Sequence, residues 1–352
     1  MLANQSAINV FFGIMNFLHP QLHLQQHQRA WWLGASLLAC IALLMLVGLG
    51  VGSTGLESVW QMWKDPVAQQ IVIDIRAPRT MGAFLAGALL GLAGAVAQGL
   101  FRNPLADPFL LGSASGASLG VATALAFFGV SPFATQWVVR LGLTGAAFIG
   151  AVAAVLLTLA LARGVQHTLR LLLAGVVVGV VLGAFSSLVT LLSPDILQAM
   201  QAFMLGSTGF VGWVSCTVMG AVLLPCVVFS WLLARVLDGL ALGESTAITL
   251  GLPLGTFRAA LIALLALATG TAVAQTGLIA FVGLAAPHLV RSVVKTTHGK
   301  LIVLSSLMGG VLLLFADILA RSLIAPQELP VGVLTAVLGG SYLLWLMRKK
   351  TL

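Results

Sequence analysis

Polar residues in this chain come in short clusters, and long apolar stretches without strand-like alternation run between them. The runs cover 31–51, 80–101, 109–130, 138–162, 170–192, 211–236, 257–276, 278–296, 300–322 and 329–347. An apolar run of about 18 or more residues can cross a bilayer core as a helix. Continuous rather than alternating hydrophobicity rules out a transmembrane barrel. The pattern predicts an all-α polytopic membrane protein with ten transmembrane helices in one domain, 31–350. Pro287 interrupts the eighth run, and almost nothing separates it from the seventh. A short or broken helix is expected there, which is tolerated where protein or a cavity covers the freed backbone. Ahead of the first span, "INVFFGIMNFL" (8–18) is too short to cross. No Lys or Arg precedes it and no small-x-small cleavage site follows, so it reads as an interfacial helix in a 1–30 extension rather than a signal peptide. Met15 is an alternative start.

Composition agrees and adds sidedness. Only 7% of the 352 residues are charged and 60% are hydrophobic, whereas a soluble chain carries about 25% charged residues. The net charge of +8 would suit nucleic acid, but the basic residues are dispersed over short loops rather than clustered. Positive-inside topology explains them better. With both termini cytoplasmic, Lys64, Arg76, Arg79, Arg140 and Arg321 fall outside, and the other 12 of the 17 Lys and Arg fall inside. Arg76 and Arg79, in "IRAPRT" (75–80), therefore break the trend.

Candidate chemistry is sparse. Cys40, Cys216 and Cys226 lie inside apolar runs, and the last two are about 15 Å apart along one helix, beyond disulfide reach. No metal-ligand spacing or nucleophile–base constellation stands out. The only Gly-Lys pair, Gly299-Lys300, precedes Leu301, so no phosphate loop is present and the chain is not an ATP-hydrolysing subunit. All nine acids fall in loops or at span ends. A stand-alone secondary transporter usually buries a carboxylate or histidine relay mid-membrane, so that alternative is disfavoured and the driving energy is expected from a partner. Glycines recur every four residues at Gly112, Gly116 and Gly120, at Gly87 and Gly91, and at Gly175, Gly179 and Gly183 with Ser187. Such stripes permit close helix approach. The last one can equally line a path for a bulky solute.

Four segments carry a family resemblance. They are "IRAPRTMGAFLAGALLGLAGAVAQGLFRNPLADPFLLGSASGASLG" (75–120), "RLLLAGVVVG" (170–179) with "SPDILQAMQAFMLGS" (193–207), "LGESTAITLGLPLGTFR" (242–258), and "GTAVAQTGLIAFVGLAAPHLVR" (270–291) with "ADILAR" (316–321) and "ELPVGVLTAVLGGSYLLWLMRK" (328–349). Over residues 50–350 the chain resembles the FecCD family, the permease subunits of type II ABC importers for haem, ferric siderophores and vitamin B12. The resemblance implies ten helices per subunit with inverted halves. It also implies a homodimer in the bacterial inner membrane, two ATPase subunits that bind ATP and Mg, and a periplasmic binding protein. No cofactor is implied in this chain, and its non-protein surroundings are membrane lipid.

The resemblance also assigns roles. The cytoplasmic segment 242–258 becomes the helix that couples to the ATPase, through Glu244, Ser245, Ala247, Leu250 and Gly251; the alternative is an inert connector. "RNPLADP" (102–108) is a second inner loop that can support that interface. Arg76, Arg79 and Arg321 match positions that answer acidic side chains of the binding protein. Guanidinium suits that task because it is always charged and grips carboxylate bidentately; the alternative is interfacial snorkelling. Asp317, one turn before Arg321, can orient it as an i,i+4 pair. Pro287, His288 and Arg291 belong to a family signature, with structural bracing the default. Overall resemblance points to haem as the transported substrate, with ferric siderophore or vitamin B12 as alternatives. The histidines map to the inner side, so none serves an outer cavity as an axial ligand. Met200 and Met204, spaced i,i+4, are left as soft contacts or, with Phe203, as an apolar gasket.

Overall fold

The structure is a computed structural model that describes residues 3–52, 55–56, 65–128, 137–162, 168–249 and 254–348, with only backbone considered over 3–25. It is a helical membrane protein, and the core is built around one helix. That helix, α3 (Ala77–Phe101), is buried along nearly its whole length. It continues directly from α2 (Pro66–Ile71) through a π-helical stretch, Val72–Arg76. "IRAPRT" is therefore helical rather than a loop ahead of a span. Pro78, near the start of α3, lacks the N–H that would bond back to Asp74. The wider π turn lies where that bond is missing.

Around α3 pack α1 (Ala3–Gly50), α8 (Trp213–Leu232), α11 (Leu254–Thr276), α12 (Val282–Val293) and α13 (His298–Ser322). A second group holds α4 (Ser113–Phe128), α5 (Trp137–Leu161), α6 (Thr168–Leu192) and the short α7 (Leu197–Leu205). Short helices α9 (Ala234–Ala241) and α10 (Glu244–Thr249) link α8 to α11, and α14 (Val331–Arg348) closes the described chain. A two-residue hairpin, β1 (Val51–Gly52) with β2 (Gly55–Leu56), follows α1.

The glycine stripes are contact surfaces. A Cβ at Gly87 would strike the Gly309 carbonyl, and one at Gly309 would strike Gly87, where α3 crosses α13. Gly116 and Gly150 exclude each other's Cβ in the same way between α4 and α5. Gly94 faces the backbone of Gly283 on α12. Pro287, one turn later, provides no N–H for the Gly283 carbonyl, so the freed group lies buried against α3. In a bilayer, where apolar burial gives little net drive between helices, such close backbone contact supplies much of the association.

Among the described residues seven helices are long and apolar enough to cross a membrane: α1 over Gln26–Gly50, α2 joined to α3, α5, α6, α8, α11 and α13. Two shorter apolar helices are α4 and α14. The expected eighth span is α12, only 12 residues and so about 18 Å long. Pro287 lies inside it, and its ends are set by Phe281 in a left-handed conformation and Val294 in an extended one; the count of ten full-length spans is not established by these helices. Residues 8–18 are helical, and their backbone runs without a break into the first span.

Candidate functional site

The three arginines singled out from sequence meet at one end of the bundle. Two of them turn onto backbone. Helix α1 ends at Gly50, leaving carbonyls with no partner in the next turn. Arg321 Nη1 donates to Gly48 O (3.1 Å) and Val51 O (3.3 Å), and Arg76 Nη1 to Leu49 O (3.4 Å) and Gly50 O (3.3 Å). Two guanidinium groups thus cap the negative end of the α1 dipole. Arg321 is only 2% exposed and Arg76 and Arg79 8% each, so none of the three presents a broad cationic face.

Arg79 is placed differently. Its Nε donates to Asp317 Oδ1 (3.2 Å), and its Nη1 to both carboxylate oxygens of Glu328 (3.0 and 2.8 Å). Asp317 is fully buried and also accepts from Arg321 Nη2 and from Thr208 Oγ1. The i,i+4 pair of Asp317 with Arg321 follows from its spacing. Thr208 and Glu328 were missed, because each reaches the cluster from a distant loop. The one available signal for Glu328 was an acid directly ahead of the last apolar run. A buried carboxylate with three donors is well compensated; one left without them would not be.

Thr208 joins this cluster to α7. The backbone after α7 crosses two other loops at three hydrogen bonds: Ser207 N to Thr276 O (2.8 Å), Leu278 N to Phe203 O (3.0 Å) and Gly332 N to Gly206 O (3.3 Å). Gly206 and Gly277 hold φ of +67° and +70°, and a side chain at either would also meet the opposing carbonyl. The end of α7, the α11–α12 link and the start of α14 are therefore locked together beside the arginine cluster.

Four of the seven residues proposed for a path line one cavity. It has a volume of about 470 Å³ between α4, α6 and α7, and Gly183, Ser187, Met200 and Met204 all line it. Hydroxyls dominate the rest of its polar lining: Ser115, Ser118, Ser186 and Thr190, with Gln201, and no charged residue. Gly175 lies outside this cavity, packed on the backbone of Leu110 and Leu111, and a Cβ added at Gly179 would meet Ser115 Oγ at an ordinary 3.7 Å. The stripe thus divides into a packing half and a cavity half. Phe203 is on the other side of α7, in a separate cavity of about 120 Å³ with Gln275 and Thr276.

At the opposite end of α3, the coupling segment is anchored to its own chain. Glu244, the first residue of α10, accepts from Arg258 Nη1 at 2.8 Å; Arg258 is buried in the first turns of α11. Ala247 is also buried, whereas Ser245, Thr246 and Thr249 are exposed. Leu250 and Gly251 lie outside the described residues. Beside this segment, Asp238 Oδ1 accepts from the backbone N (3.0 Å) of His298 and pairs with its ring Nδ1 (2.7 Å) at the N-terminus of α13. Gln98 of α3 donates to Leu284 O at 3.1 Å and accepts from Arg291. Arg291 thus braces α12 against α3, the role expected by default. In the 102–108 loop Asp107 caps the turn at Pro108–Leu111 by accepting from Phe109 N at 2.8 Å. Burial pushes its carboxyl above the usual range, and that hydrogen bond partly opposes the shift.

Among the described residues no three His, Cys, Asp or Glu side chains gather as a metal site. The arrangement is one of ports and braces: an ion-pair cluster at one end, a neutral cavity alongside, and a tethered surface helix at the other end. The model of the FecCD transport family matches residues 37–349. The chain belongs to the FecCD transport family. The FecCD chain is 38% identical over 320 residues to the hemin transport system permease protein HmuU of Yersinia pestis, covering 88% of this chain and 94% of that one. It is 39% identical over 330 residues to the vitamin B12 import system permease protein BtuC of Escherichia coli, covering 92% and 97%. Among solved structures it is similar to an inward-facing metal-chelate type ABC transporter, with a TM-score of 0.80 and 29% identity over 89% of this chain and 98% of that one. The FecCD chain is thus a multi-pass permease of the ABC importer class.

Proposed function

We propose that this FecCD permease moves haem across the bacterial inner membrane, as a homodimer served by two ATPase subunits and a periplasmic binding protein. Both termini face the cytoplasm in this reading, as the distribution of Lys and Arg favours. The α10 segment meets the ATPase through its exposed Ser245, Thr246 and Thr249, with Glu244 and Ala247 holding it to the permease. Leu250 and Gly251 belong to the same contact. Arg79, with Arg76 and Arg321 behind it, receives an acidic side chain of the binding protein. The observation that carries the transport reading is the uncharged, hydroxyl- and methionine-lined cavity beside α6 and α7. A surface without fixed charge or firm iron ligand lets a large, mostly apolar solute pass without being trapped. Such a cavity also suits cobalamin, and the resemblance to BtuC at 39% identity keeps that as the second reading.

The test is stimulation of ATP hydrolysis in the reconstituted importer by its binding protein. The protein is supplied empty or loaded with haem, cobalamin or a ferric siderophore. Haem-loaded protein is expected to stimulate most and to drive uptake into vesicles. A response to cobalamin with none to haem would replace the substrate, and uptake without any ATPase subunit would replace the class.

A further inference from the structure

The two carboxylates on Arg79 are not equivalent. Asp317 is fully buried and takes hydrogen bonds from Arg79, Arg321 and Thr208. Its departure would leave a charge buried without donors, so it is a fixed part of the fold. The Glu328 side chain is 34% exposed, and Arg79 is its only hydrogen-bonding partner among the described residues. Water reaches the Glu328 side of the pair and screens it, although the Arg79 side chain is only 10% exposed. The pair is also geometrically incomplete. Both oxygens of Glu328 crowd onto Nη1 of Arg79, whereas a full guanidinium fork would use two nitrogens.

We propose that Glu328 is an exchangeable carboxylate that occupies the place of an incoming one. In the free chain it holds the Arg79 edge; an acidic side chain of a docking protein takes that edge and displaces it. This rests on the reading that Arg79 receives the binding protein. One arginine–carboxylate pair breaks and one forms, so the exchange is nearly balanced and reversible, as a docking step repeated in every transport cycle requires.

Displacement also has a mechanical result. Glu328 lies on the short turn between α13 and α14, pinned by Leu329 N to Ala320 O (3.0 Å) and Gln327 N to Ile324 O (2.9 Å). Releasing its side chain removes the ionic tether between that turn and α3. The start of α14 then remains tied through Gly332 to Gly206, directly after α7, whose Met200 and Met204 line the cavity. A contact made at Arg79 thereby alters the restraint that α14 places on α7, which lines the cavity.

The experiment measures affinity of the haem-loaded binding protein for the assembled importer in nanodiscs, at low salt, together with basal ATP hydrolysis. Glu328→Gln removes the competitor's charge and is expected to tighten binding by about 2–5-fold, the range of an exposed ion pair, and to raise basal hydrolysis. Glu328→Asp retains the charge and should remain near wild type. Arg79→Lys keeps the charge facing Asp317 but cannot form the fork, and is expected to weaken binding. If Arg79→Lys weakens binding while Glu328→Gln leaves it unchanged or weaker, docking at Arg79 stands and the exchange is wrong. If neither Arg79→Lys nor Arg79→Gln alters affinity, the docking reading fails and the exchange with it. A merely structural Glu328 would lower the thermal midpoint and weaken binding, so a gain in affinity cannot come from that role.

Discussion

Arg321 shows what charge does at the edge of a membrane domain. Its guanidinium closes the last carbonyls of α1 and neutralises a fully buried carboxylate. Arg321→Gln is expected to cost about 3–5 kcal/mol, because it removes one member of a buried ion-pair cluster and leaves the other under-compensated. Arg76→Gln removes hydrogen bonds to the Leu49 and Gly50 carbonyls of the α1 cap, and that loss should cost about 1 kcal/mol, the net worth of ordinary hydrogen bonds. Thermal unfolding in detergent checks both. If Arg321→Gln leaves the midpoint unchanged, Arg321 serves only an external partner. The sequence made part of this cluster legible. Asp317 and Arg321 are one helical turn apart, so their pairing follows from periodicity. Glu328 and Arg79 are separated by 249 positions, and no local rule joins them; they meet because α3 and α13 cross. The arginines stood out as positive charges against the expected sidedness. That Arg76 and Arg321 close the open end of α1 needed the structure.

At the level of elements, apolar run length located the long helices, while the short α2, α7 and α9, and the partners and irregularities of all of them, were hidden. Gly87 and Gly91 announced a close approach, but not that Gly309 lies opposite. Pro287 announced a broken span, and α12 is indeed short. The π stretch before α3 had only Pro78 as a signal. The α10 helix illustrates the same limit. The resemblance marked it as a coupling segment, and Glu244 is also tied to Arg258 across the loop, so the first-turn acid anchors the segment as well as favouring the helix dipole. Arg258→Met removes the anchor while leaving Glu244 near enough to solvent to be hydrated. Transport driven by ATP is expected to fall by about tenfold, the lower end of a charge-assisted hydrogen bond worth about 1.5–3 kcal/mol. The thermal midpoint should stay close to wild type. Uptake and hydrolysis measured side by side decide it; unchanged coupling would mean that α10 needs no fixed orientation.

Across the whole molecule, the ion-pair cluster and the coupling segment are at opposite ends of α3, a helix of 25 residues and so about 37 Å long. The cavity lies to one side, among α4, α6 and α7. Three tasks are therefore spatially separate, and an obstruction confined to the cavity should spare the other two. Gly183 tests this division most directly. A Cβ there meets only Ser115 Oγ, at 3.8 Å, so Gly183→Ala should behave as wild type. Gly183→Phe places a ring in the cavity without reaching the arginine cluster or α10. Haem uptake by vesicles is expected to fall to background, while affinity for the binding protein and stimulation of ATP hydrolysis remain near wild type. Such an uncoupled transporter would hydrolyse ATP in response to a delivery protein whose cargo has nowhere to go. If Gly183→Phe transports normally, the solute does not use this cavity. If it loses docking and hydrolysis as well, α6 and α7 are not independent of the ends. In that case the loop junction at Gly206, Gly277 and Gly332, which ties α7 to both neighbouring helices, transmits strain from the cavity outward as readily as it carries a signal in.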